Sequence, residues 1–414
     1  MRELVLISYH FPPHGGKAVQ RASKLAKYLP RFGWRPVVFA LPRRQKRVPM
    51  DPSLCSEIPD IVEVRRPRLS GWRERLPGEV RKLLPRPLPD RYGSWARRLA
   101  PRVASLVRKR APAALISTSP THSAQLAGLL VHRATAIPWA ADFRDPWSGH
   151  PGFGGRSGDE EMLALETEVL AEAEAVVGVY PKILRDFRGR VEPGRLHLIE
   201  NGYDEDDFLM VDWGAPPQGS GPLTLGHNGT VSAFHDPIPV LEALRRLRAA
   251  GRAGPGDIRA VFTTSETGRK RFDEYGDLAD CGMLEVRGYR PHAESIADLA
   301  RLDVSLLLLT RGSGIYPGKV FEYMRLGNPI LSVSRPGDDL NRLLKETGTG
   351  ITVDRKSPDR IAEVLAELLG RKRSGGLRHL DPELSRIRRY SREAIAGRYA
   401  KVLDGIAPDG HREG

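Results

Sequence analysis

Short apolar runs alternate with helical patterns along this chain, and the alternation stops once and then restarts. A strand, a helix and another strand in succession pack as a parallel sheet covered by helices. In the first series, strands are expected at 4–8, 36–41, 62–65, 114–118, 139–143, 175–179 and 196–200. Helical patterns cover 19–32, where Gly33 stops the helix, and 160–173. Proline and glycine then crowd into residues 214–222, the chemistry of a linker. The second series places strands at 223–228, 259–264, 284–287, 304–309, 329–333 and 350–353. Helices at 239–249, 293–300, 319–326, 340–346 and 358–369 fall between them. A last amphipathic pattern, 391–403, lies beyond this series and suits a return to the first domain.

The expectation is an α/β chain of two doubly wound domains facing each other across a cleft. Its boundaries are 1–208, a linker at 209–222, 223–388, and a crossover helix at 389–407. A length of 414 residues suits two cores better than one. Ligands in such sheets sit outside the carboxyl ends of the strands.

Composition narrows the class. No apolar run approaches the roughly 18 residues that a membrane span needs. The first apolar run breaks at Ser8-Tyr9-His10, unlike the core of a signal peptide. Cys55 and Cys281 stand far apart and suggest neither a disulfide framework nor a metal knuckle. A cytoplasmic enzyme is expected. The net charge of +14 is concentrated between Arg65 and Arg110, where fifteen basic residues meet only Glu74, Glu79 and Asp90. Within 66–92, Leu69, Trp72, Leu76, Leu83, Leu84 and Leu88 are interleaved with Arg and Lys, and Pro77, Pro85, Pro87 and Pro89 prevent a long helix. Apolar anchors beside cations suit an anionic membrane surface. Trp95, Leu99, Val103 and Val107 follow at helical spacing and are expected to pack inward. Nucleic acid is an unlikely partner, since no recognition module or zinc spacing accompanies the charge.

Candidate chemistry lies where strands end. Tyr9 to Gly16 follows the first strand, and its paired glycines, Gly15 and Gly16, let backbone approach an anion at a helix start. The G-x-G-x-x-G spacing of a dinucleotide site is absent. His122 follows the 114–118 strand, and Asp142-Phe143-Arg144-Asp145 closes the next. Two carboxylates around a guanidinium either position a hydroxyl or form a buried ion-pair corner, and the residues leave both readings open. In the second domain Gly229 ends the first strand. The segment 312–324 then reads as a glycine-rich loop entering a helix at Lys319. A helix start offers unpaired N–H groups to a diphosphate, Lys319 adds a charge, and Glu322 suits two ribose hydroxyls.

Four segments in this order, 9–16, 142–147, 201–208 and 317–322, resemble the glycosyltransferase family 4 group of GT-B fold, with a closing Tyr390-Ser391-Arg392 helix. The similarity runs over almost the entire chain. It implies two Rossmann-like domains and transfer, with retention, of a sugar from a nucleotide diphosphate donor to a sugar, lipid-linked or small-molecule acceptor. No cofactor and no metal are implied. Carried onto this chain, the resemblance assigns donor binding to Gly229, Thr230, Arg287, Tyr289, Tyr316, Gly318, Lys319 and Glu322. It assigns the reacting sugar and acceptor to His122, Arg144 and Asp145, and a phosphate or acceptor loop to Gly15, Gly16 and Arg21.

Two departures stand out. The family often has a second Glu eight positions before the ribose-binding one, and here that position is Gly314. Many members carry an Arg and a Lys soon after the glycine at 229, where this chain has neither before Arg245. Lys319, Arg311 and His235 are the candidate substitutes. Other readings are a nucleotide-sugar epimerase of the same fold, a non-catalytic basic nucleic-acid or membrane binding protein, and a metal-dependent transferase using Asp204 to Asp207. A capping role suits those four acids better.

Overall fold

The computed structural model describes residues 1–42, 50–68, 88–145, 147–148, 159–213, 221–309, 315–377 and 384–408. Strands form where β-branched and apolar residues run together and are buried on both faces, as parallel sheets require. The first seven are β1 (Arg2–Ser8), β2 (Trp34–Phe39), β3 (Glu63–Arg65), β4 (Ala114–Thr118), β5 (Trp139–Phe143), β6 (Ala175–Gly178) and β7 (Leu196–Leu198). They build one sheet in the order β3-β2-β1-β4-β5-β6-β7, and every pairing is parallel.

The second sheet joins β8 (Leu223–Asn228), β9 (Ile258–Thr263), β10 (Leu284–Arg287), β11 (Val304–Leu308), β12 (Ile330–Ser334) and β13 (Gly350–Asp354). Its order is β10-β9-β8-β11-β12-β13, again all parallel. Both sheets therefore reverse direction beside their first strand, between β1 and β4 and between β8 and β11. This is the Rossmann arrangement, twice, with a switch point in each.

The chain divides into Met1–Asn201 with Arg392–Gly414, and Gly202–Ser391. The division thus precedes the 209–222 segment expected as linker. The reason is packing: Tyr203, Phe208 and Val211 are buried in a core of the second unit with Phe321, Met324 and Tyr390. The turn that carries them is fixed by Asp204, whose side chain accepts from the Asp206 amide.

The helix Arg392–Ile406 belongs to the first unit. Ile395, Ala396, Tyr399, Ala400 and Leu403 recur at intervals of three and four and join the core of β1, β2 and β4. The helix Gly93–Arg110 buries Trp95, Leu99, Val103 and Val107 and leaves Arg97 and Arg102 exposed, so its stripe packs inward as expected. Of the 66–92 segment, 69–87 lies outside the described residues. Arg66 is turned inward, its guanidinium donating to the carbonyls of Leu41 and Pro12. Among the described residues no helix is long and apolar enough to cross a membrane.

Candidate functional site

In the first unit the loop after β1 leads into the helix Lys17–Tyr28. Gly15 is buried, and a Cβ there would stand 3.0 Å from the Asp51 Cβ, so this glycine serves the packing of two loops. Gly16 is exposed, with φ +86°, a conformation that side chains with a Cβ rarely adopt. Only Gly16 of the pair presents open backbone.

Arg21 is not on a phosphate loop. Its side chain is 1% exposed, and its Nε and Nη2 donate to both oxygens of Asp142 at 2.8 and 3.0 Å. It also donates to the carbonyls of Ile199 and Glu200 and to the Tyr399 hydroxyl at 2.7, 2.9 and 2.6 Å. Burial opposes its charge, but Asp142 and Tyr399 outweigh burial and hold the guanidinium above its ordinary range. The helical period explains the error: Arg21 falls on the inward face, beside Ala22 and Leu25. Asp142 also accepts from Thr118 Oγ1 at 2.6 Å. Of the two readings of the 142–145 corner, Asp142 thus takes the buried ion pair.

His122 follows β4, and Arg144 and Asp145 follow its sheet neighbour β5. The Arg144 amide donates to Ser119 Oγ at 2.9 Å, and its guanidinium donates to the Ala18 carbonyl at 3.0 Å. Burial, then the Arg21 charge, lowers its pKa. The His122 ring stacks on fully buried Trp147 at 5.0 Å and 4°. Asp145 is exposed. Asp90, read only as an acid in a basic stretch, accepts from the Ser123 amide at 3.0 Å and from its hydroxyl at 2.6 Å, and so fixes the helix after His122. His10, half-buried at the end of β1, is pushed down to about 4 by burial and then by His14, Arg144 and Arg91.

In the second unit, β8 ends at Asn228, whose side-chain Nδ2 donates to the Ser295 carbonyl and hydroxyl at 2.7 and 2.8 Å. Gly229 follows with φ +122°, and its missing Cβ would stand 3.1 Å from Lys319 Nζ. Lys319 opens the helix Lys319–Leu326, whose preceding residue, Gly318, supplies no side-chain cap. Its Nζ donates to the Asn228 carbonyl at 2.9 Å and lies 3.2 Å from His227 Nε2. The backbone glycine and the cation therefore meet at the switch point of this sheet.

Glu322, one turn further along, lies 3.5 Å from His292 Nε2, which is 3.6 Å from Asp207. His292 ends the segment that leaves β10, where Arg287 pairs with Glu285 at 2.7 Å and Tyr289 is 82% exposed. Segment 287–292, Glu322, and Lys319 with Gly229 thus follow one another along one side of this unit. Thr230 is exposed beside Gly229, and Tyr316 is half-buried, edge-on to Phe321 at 6.2 Å. Of the three candidate substitutes for the family's basic pair, Lys319 reaches Gly229. His235 is engaged by its Nδ1 with the Leu308 carbonyl at 2.9 Å, and Arg311 and Gly314 lie outside the described residues. Asp204 caps its own turn and Glu205 pairs with Arg325 at 2.9 Å. Among the described residues no three metal-ligating side chains converge.

Comparison with known proteins follows the same division. Residues 17–202 match the family model described as a glycosyl transferase 4-like domain. The probable glycosyltransferase WbjE of Pseudomonas aeruginosa is 33% identical over 91 residues, which span 21% of this chain and 22% of that relative. HepE from Anabaena, solved with UDP, superposes with a TM-score of 0.68 over 98% of this chain and all of its own, at 14% identity. Sucrose-phosphate synthase from Thermosynechococcus elongatus gives 0.66 over 98% and 99%, at 15% identity. At such identities the structures share the fold.

Proposed function

We propose that this chain, whose residues 17–202 match the glycosyl transferase 4-like family model, moves a sugar from a nucleoside diphosphate donor to an acceptor hydroxyl with retention of configuration. One observation carries the reading: Lys319 is held against Gly229 at the switch point, with Glu322 one turn away. A diphosphate would meet the Lys319 ammonium, the open backbone at Gly229 and the start of the helix Lys319–Leu326. The ribose would meet Glu322, and the base the segment 287–289. That HepE binds UDP supports a nucleotide donor. As the acceptor oxygen takes the place of the diphosphate on the anomeric carbon, negative charge grows on the departing phosphate. A fixed ammonium and amides there stabilise it more than they stabilise the bound ground state, without a metal ion. His122, Arg144 and Asp145 of the first unit serve the transferred sugar and acceptor.

The test is incubation with UDP-, GDP-, ADP- and dTDP-sugars in chelator, with and without acceptors, followed by proton NMR. Transfer with an unchanged anomeric centre is expected. An inverted product overturns retention, and an epimerised donor without transfer favours the epimerase. We also propose attachment to the cytoplasmic face of an anionic membrane through 66–92, where a lipid-linked acceptor for cell-surface glycoconjugates would be presented. The interleaved Trp72, leucines and arginines support it. Vesicle co-sedimentation at low salt should show anionic-lipid binding that weakens when Trp72 and its neighbouring arginines are replaced. Failure to bind removes this attachment.

A further inference from the structure

His227, next to last in β8, is fully buried. Its Nδ1 lies 3.0 Å from the carbonyl oxygen of Leu306 on the adjoining strand β11. A carbonyl only accepts, so Nδ1 carries a hydrogen and donates it. The other ring nitrogen, Nε2, lies 3.2 Å from Lys319 Nζ, and an ammonium only donates. These two contacts fit the neutral tautomer protonated on Nδ1. Burial and then the Lys319 charge outweigh the Leu306 and Thr230 carbonyls and push this imidazole well below its ordinary pKa.

We infer that His227 is a positioning residue for the donor: it receives a hydrogen bond from Lys319 and fixes that ammonium against the Gly229 turn. The inference rests on the reading of Lys319 as a diphosphate contact. A lysine stem has four rotatable carbons and loses much freedom on being held, so an ammonium poised before the ligand arrives spares that loss on binding. The chemistry of the holder matters. A carboxylate at 227 would hold Lys319 equally well but would cancel the charge meant for the phosphate. A neutral imidazole, aided by the Asn228 carbonyl at 2.9 Å, orients the cation without adding a negative charge of its own. Gly229 completes the arrangement, because a Cβ there would press on Nζ at 3.1 Å.

The test compares the full chain with His227→Phe, which offers no acceptor, and His227→Gln, which keeps one near the Nε2 position, each with and without Lys319→Ala. Calorimetry uses whichever of UDP, GDP, ADP and dTDP binds, together with its nucleoside. His227→Phe should weaken the diphosphate about three- to tenfold and leave the nucleoside unchanged. His227→Gln should restore most of that affinity, and His227→Phe should add nothing in the Lys319→Ala background. Unchanged diphosphate affinity in His227→Phe, or an equal loss without Lys319, overturns the role of His227 alone. Unchanged affinity in Lys319→Ala overturns the donor reading and this role with it. Imidazole nitrogen NMR on the unmodified chain decides independently of any variant. A neutral ring protonated on Nδ1 from about pH 5 to 8 is expected, and a ring that titrates there, or carries its proton on Nε2, contradicts the contact.

Discussion

The two switch points share one topology and use their charges in opposite ways. Beside β1 and β4, Arg21 and Asp142 are both sealed from water, and the arginine is saturated by Asp142, two carbonyls and Tyr399. Beside β8 and β11, Lys319 donates to the Asn228 carbonyl and faces the His227 ring, and Glu322 keeps 22% of its side chain exposed. The first arrangement ties the terminal helix to its sheet; the second is the one we propose serves a ligand. Strand order alone therefore marks where a site can be. What each charged group already touches decides whether it can bind anything else.

The largest expected effect belongs to the sealed pair. Arg21→Ala leaves Asp142 buried and uncompensated, and should destabilise the first unit by about 3–5 kcal/mol. Thermal unfolding would register this as a fall in Tm. Arg21→Met with Asp142→Leu should cost less than the two single changes added together, because neither partner is then stranded. Additive losses would mean that the two side chains do not form one unit. Asp145 is exposed, so Asp145→Asn should leave Tm nearly unchanged, whereas His122→Ala removes the ring stacked on buried Trp147 and should lower Tm modestly. Each should lower turnover, by about a hundredfold if it orients the reacting groups, with little change in nucleotide affinity. A fall in nucleotide affinity equal to the fall in turnover would place these residues on the nucleotide instead.

Most of the architecture was legible in the residues. Four strands, 114–118, 139–143, 223–228 and 284–287, have their expected bounds, set where apolar runs meet polar or glycine punctuation, and so does the helix Lys319–Leu326. The missed boundary has a simple cause. Glycine and proline at 214–222 mark flexible chemistry, whereas the division depends on which core takes Tyr203 and Phe208, and that is a long-range property. Arg21 was misread for a related reason. Its loop role came with the family resemblance, while its carboxylate partner is 121 residues away. His227 had no role in the sequence reading. Its signal was present, since a polar residue within a strand buried on both faces requires partners for both ring nitrogens.

The comparison between the two switch points is tested most directly by nucleotide titration of the full chain and of Lys319→Ala and Glu322→Ala. A nucleoside diphosphate from the set UDP, GDP, ADP and dTDP should bind the unmodified chain. Each variant should bind it about ten- to a hundredfold more weakly while unfolding at an unchanged temperature, as loss of one charge-assisted hydrogen bond implies. Lys319→Ala should weaken the diphosphate and spare the nucleoside, whereas Glu322→Ala should weaken both. Full affinity in both variants would contradict a donor site at the start of the helix Lys319–Leu326.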